Sequence, residues 1–185
     1  MGTLSFFIGL LAIFLPLCSA ASQDMFNLFA YGDNIGGLPL VFRDGYAQVG
    51  DPNKLNSSFT KIYFDTNSST SQWVANPNNT DSSANATWSN QVLFVPGPSS
   101  SDHRIGFASD PGSNVTTTFK TYGQFVFVVN TTGEWESAFY AQSTDTENLY
   151  SLLWNPGDSE DYIPVTLRTV APSNFQDSNE TSSSS

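Results

Sequence analysis

Between residues 25 and 172, apolar residues come in short runs, broken by Gly, Pro, Asn and Ser clusters roughly every eight to twelve positions. No stretch there carries the three-to-four-residue period of an amphipathic helix. The runs predict strands at 26–31, 38–42 and 46–49, the last two joined by Arg43-Asp44-Gly45, whose Asp-Gly pair is a hairpin signal. Residues 32–37 read as a glycine-bearing loop. Further strands are predicted at 59–64, 72–75, 91–95, 105–107, 115–122, 150–154 and 163–170, with a long polar loop over 76–90.

The stretch 124–142 (QFVFVVNTTGEWESAFYAQ) predicts the hairpin around which the rest is organised. Its unbroken Phe125-Val126-Phe127-Val128-Val129 reads as a strand buried on both faces. Asn130 to Gly133 supply turn chemistry. Beyond them, alternation places Trp135, Ser137, Phe139 and Ala141 on one side and Glu134, Glu136, Ala138 and Tyr140 on the other. A weaker echo occurs earlier, where Ile62-Tyr63-Phe64 reaches Trp73 through a loop carrying Asn67. The expected fold is all-β: a single antiparallel β-sandwich or closed β-barrel of about nine to eleven strands spanning 21–172.

With 185 residues the chain has room for one such domain. Seventeen acidic residues stand against six basic ones, a net charge of −11, and no basic cluster exists, so a nucleic-acid partner is not expected. Residues 1–20 read as a secretory signal peptide, with an apolar stretch over 6–17 and small residues at Cys18-Ser19-Ala20 before the cut. That stretch is too short to span a bilayer, so no membrane span is expected. Cys18, the one cysteine, leaves with the signal, and the mature domain then has no disulfide. Residues 173–185 form a polar Ser-rich tail expected to be disordered, with no apolar stretch after it to direct a lipid anchor.

Acceptor sequons for N-glycosylation begin at Asn56, Asn67, Asn78, Asn85, Asn114, Asn130 and Asn179. All fall in predicted loops or at strand edges, where a bulky glycan is tolerated. Catalytic patterns are sparse. His103, the only histidine, sits in a polar loop, and Gly157-Asp158-Ser159 lacks the downstream histidine a hydrolase nucleophile needs. Glu134 and Glu136 share a strand face roughly 7 Å apart, a spacing open to a glycosidase pair, but the preferred reading is an acidic edge that discourages aggregation. No metal-ligand or cofactor signature is present. Of the four tryptophans, Trp135 is expected in the core. Trp88, in the polar stretch, is the expected exposed platform for sugar rings.

Several short pieces resemble small secreted fungal proteins, the phialide-associated cell-wall protein among them. They are Phe26-x-Leu28-x-Ala30 with Gly32, Gln48-Val49-Gly50, Ile105-Gly106-Phe107, Phe139-Tyr140-Ala141 and Tyr150 to Trp154. Residues 164–172 look like a wider set of fungal secreted proteins. The chain departs from the phialide protein in having no cysteine near Tyr140. The resemblance implies a β-rich, non-enzymatic protein of the cell wall or culture medium, with cell-wall polysaccharide or an extracellular protein as partner. A secreted effector that engages a host or competitor molecule, and a glycosidase or lectin-like protein, are the alternatives.

Overall fold

The computed structural model describes residues 25–54, 59–67, 69–78 and 86–173. The expected signal segment, the tail from 174 onward, and the sequons at Asn56, Asn85 and Asn179 lie outside them.

Fourteen strands, and no helix, make up the described residues: β1 (Phe29–Gly32), β2 (Ile35–Arg43), β3 (Tyr46–Gly50), β4 (Thr60–Thr66), β5 (Trp73–Pro77), β6 (Gln91–Pro96), β7 (Gly106–Ala108), β8 (Val115–Thr116), β9 (Phe119–Tyr122), β10 (Phe125–Val129), β11 (Trp135–Glu136), β12 (Phe139–Ser143), β13 (Leu149–Trp154) and β14 (Tyr162–Arg168). Ten of them close into an antiparallel barrel in the order β1-β2-β4-β5-β6-β7-β3-β13-β12-β14, with β14 pairing back to β1. The expected all-β barrel is therefore present, with four further strands outside the ring.

Local chemistry explains the joints. The β2–β3 turn holds Asp44 and Gly45 at φ of 52° and 83°, the paired positive values of a tight hairpin. At the closing seam Gly32 lies opposite Val165, and a Cβ there would sit 2.6 Å from the Pro164 carbonyl oxygen. Only glycine lets these backbones meet. The segment expected to be a glycine loop is instead mostly strand, since Ile35, Gly36 and Gly37 belong to β2 and only a two-residue turn precedes them.

Inside the barrel, alternate residues of each wall meet. Thr60, Ile62 and Phe64 of β4 point inward with Phe139 and Ala141 of β12, and with Leu152 of β13. Aromatic rings fill one end of the core: Trp73 lies edge-on to Phe26 at 5.0 Å and stacks on Phe119 at 5.3 Å. Burying such rings supplies the dispersion and transfer energy that a domain without a disulfide depends on. A smaller cluster of Val41, Phe59 and Leu149 lies apart from it.

The 124–142 stretch departs from expectation. Strand β10 is not central; it lies outside the ring, joined to β14 through Phe125 opposite Arg168 and flanked by β9 and β11. Nor is it buried on both faces. Val126 and Val128 join the core, whereas Phe125 is exposed and Phe127 half-buried. The physical reason is that β14 completes the barrel by pairing with β1, so no further strand among the described residues packs over the outer face of β10, and only neighbouring side chains such as Trp135 and Arg168 partly shield it.

Candidate functional site

On the outer face of β9, β10 and β11 the register collects large side chains. Residues directly opposite in an antiparallel pair share a face. Tyr122 opposes Phe125, Lys120 opposes Phe127, and Trp135 opposes Val129, so all six point outward together. The inward set is Phe119, Val126 and Val128, all core. Tyr122, Phe125 and Trp135 are the exposed aromatic residues of the described chain, at 74%, 40% and 47% exposure. All three fall on this one face.

Two cations thread the aromatic strip. Arg168 sits between Tyr31 and Phe125, 4.8 and 4.7 Å from their ring centres, and Lys120 lies 5.7 Å from the Trp135 ring. The Phe127 and Trp135 rings are 5.8 Å apart. Among the described residues neither Lys120 nor Arg168 has a carboxylate partner, although the chain carries seventeen acids. The Arg168 Nε–H is buried without an acceptor. The face is thus apolar and cationic on an otherwise acidic protein, the kind of contiguous patch that marks a contact surface.

Sequence reasoning had the two informative tryptophans reversed. Trp88, expected as the exposed platform, is half-buried and stacked on Phe42 with ring centres 4.0 Å apart, packed against the core. The polar residues around it hid a partner distant in sequence. Trp135, expected in the core, is exposed. The alternation from Trp135 to Ala141 breaks at Ser137-Ala138, between β11 and β12, so Phe139 and Ala141 go inward while Trp135 goes outward. Tyr122, Phe125, Lys120 and Arg168 were missed altogether. The signal that could have found them is parity: once Val126 and Val128 are core, Phe125 and Phe127 must face out.

His103, Asn130 and Glu136 come together beside the β10–β11 turn. A cleft of about 310 Å³ lies there, lined by Pro98, His103, Asn130, Glu136, Trp154 and Asn155 among others. His103 sets Nδ1 3.3 Å from the Trp154 carbonyl oxygen. Glu134 and Glu136 come together as the spacing predicts, but around one amide. Asn130 Nδ2 donates to Glu134 Oε2 at 3.0 Å and to Glu136 Oε1 at 2.5 Å. Asn130 Oδ1 accepts from the Thr132 and Glu134 backbone N–H groups. The hydrogen bonds from Asn130 and Thr132 hold the Glu134 carboxyl below its usual value. That direction keeps a carboxylate ionised and is opposite to what a general acid requires.

Among the other sequons, Asn67 lies in the turn between β4 and β5, Asn78 directly follows β5, and Asn114 directly precedes β8 and is exposed. Gly157-Asp158-Ser159 forms part of an open trough with Tyr140 and Tyr162, away from His103. Among the described residues no three His, Cys, Asp or Glu side chains are grouped to hold a metal ion. No helix of the described residues is long and apolar enough to cross a membrane. Comparison of the chain with protein-family models, with curated proteins and with solved structures returns no match.

Proposed function

We propose that this is a secreted, N-glycosylated protein of the cell wall or extracellular medium that acts by binding rather than catalysis. Its contact surface for wall polysaccharide is the outer face of β9, β10 and β11. One observation carries the reading: the exposed aromatic side chains Tyr122, Phe125 and Trp135 share a single sheet face. Sugar rings present C–H faces that stack on indole and phenol, and an extended sheet face offers several such rings to one chain. Electrostatics alone would not hold a protein of net charge −11 on a neutral or anionic wall, so aromatic contact has to supply the affinity.

Retention on insoluble β-glucan and chitin, measured beside a thermal melt, tests this. The wild type is retained. Trp135→Ala and Tyr122→Ala each weaken retention about tenfold, the ratio that ~1.4 kcal/mol corresponds to, with the melt unchanged. Trp88→Ala lowers the melting temperature while its folded fraction still binds. Failure of the wild type to bind any polysaccharide overturns the reading and turns attention to a protein partner, for which Tyr, Trp and Arg are equally suited.

A further inference from the structure

Asn130 is at once a glycosylation sequon and the keystone of the β10–β11 turn, and both roles draw on the same nitrogen. An asparagine amide nitrogen carries two hydrogens. Here both are donated, one to Glu134 and one to Glu136. N-glycosylation transfers an oligosaccharide from a lipid-linked diphosphate donor. The bond from the sugar C1 to the diphosphate oxygen breaks, a bond from C1 to Nδ2 forms, and one proton leaves the nitrogen. The modified amide keeps a single N–H, so one of the two carboxylates loses its donor.

The corresponding hairpin turn of β4 and β5 shows the contrast. Asn67 Oδ1 accepts from the Ser69 and Thr70 backbone N–H groups at 2.9 and 3.2 Å, much as Asn130 Oδ1 does in its own turn. Asn67 Nδ2, however, makes no hydrogen bond among the described residues. A glycan on Asn67 therefore leaves its turn intact.

We propose that at Asn130 glycosylation and the two-carboxylate clamp exclude each other, so that a glycan there loosens the β10–β11 turn that positions Trp135. The inference rests on the secretory reading for its physiological setting, but the clamp itself is testable without it. It also makes the seven sequons unequal: Asn67 carries a glycan at no structural cost, whereas Asn130 is either bare or destabilising.

Two experiments decide the matter. In protein made by a host without N-glycosylation, Asn130→Asp keeps the Oδ1 acceptor but replaces the donor with a third carboxylate. Its melting temperature at pH 7 falls by roughly 3 °C or more, the scale of a lost charged hydrogen bond in a chain this size, and recovers on acidification as the carboxylates protonate. Asn67→Asp, which removes no donated bond, melts as the wild type does. Equal melts for Asn130→Asp and wild type overturn the clamp. In protein secreted by a eukaryotic host, glycopeptide mass spectrometry finds Asn67 occupied. Asn130 is then bare, or its occupied form melts lower than its bare form with red-shifted tryptophan emission. An occupied Asn130 with unchanged melt and emission overturns the exclusion. Bare asparagines at every sequon, Asn67 included, refute the secretory reading while leaving the first experiment to judge the clamp.

Discussion

The β4–β5 and β10–β11 hairpins are written almost alike, yet one builds the barrel wall and the other a surface. Each runs from an apolar strand through an asparagine turn to a tryptophan. In the first, Trp73 opposes Thr66, which shares the inward face of Ile62 and Phe64, and the indole is only 5% exposed. In the second, Trp135 opposes Val129, on the outward face with Phe125 and Phe127. A single step of register decides between core and solvent, because side chains alternate with a period of two. Apolar content does not separate the two tryptophans; pairing does.

The sharpest way to break this contrast is to remove both indoles in turn. Trp73→Ala takes away a ring wedged against Phe26 and Phe119 and is expected to cost about 3–5 kcal/mol, read as a lower urea midpoint. Trp135→Ala, on the exposed face, is expected to change stability by no more than about 0.5 kcal/mol. Equal losses would show that β10–β11 is packed as tightly as the wall. Trp88→Ala should fall between them at roughly 1–3 kcal/mol, since its ring is half-buried but stacked closely on Phe42.

A smaller effect distinguishes the turns by pH. Glu134 is held below the ordinary carboxyl value of 4.5 by Asn130 and then Thr132, while the residues of the β4–β5 turn include no acid. A carboxyl whose folded-state value is depressed contributes stability above its unfolded value and loses it as pH falls through the folded one. Below about pH 4.5, therefore, amide hydrogen exchange at Thr132 and Glu134 should accelerate relative to its rate in the neutral protein, after correction for intrinsic exchange. Ser69 and Thr70 should show no such step. The same step in both turns would locate the acid sensitivity elsewhere in the barrel.

The smallest expected change concerns Asp102, whose carboxyl is lowered chiefly by the hydrogen bonds from Arg104, an exposed pair. Asp102→Asn should alter the melt by a degree or two at most, because exposed ion pairs contribute little. A larger drop would mean that stacking of Arg104 on Tyr46, 3.7 Å from its ring centre, depends on Asp102 to hold the guanidinium in place.

Much of the fold was legible because strand formation here is governed by local rules. The Asp44-Gly45 turn, the alternation of 60–64 and the apolar run of 91–95 each dictate their own element. Closure was not legible, since Gly32 against Val165 is a contact between segments at opposite ends of the domain. The candidate face was half legible. The strength of the Phe125–Val129 run was plain, but burial on both faces assumed a covering layer that only topology could supply or deny. Trp88 failed for the complementary reason, as its polar neighbours say nothing of Phe42.

The glycine seam also has a meaning in time. Because β1 meets β14, the first-made strand has to wait for the last before either edge is sealed. Long-range pairing of this sort is slow, as the closure entropy falls due before any contact repays it. Hairpins such as β4–β5 and β10–β11 need only neighbouring residues and form in microseconds. The newborn chain therefore passes through a state in which its turns are set while the cylinder gapes, with two unprotected strand edges open to another copy. A substitution at Gly32 prolongs that interval as well as straining the finished seam, so aggregation during synthesis would accompany a lower melting point in the protein that survives.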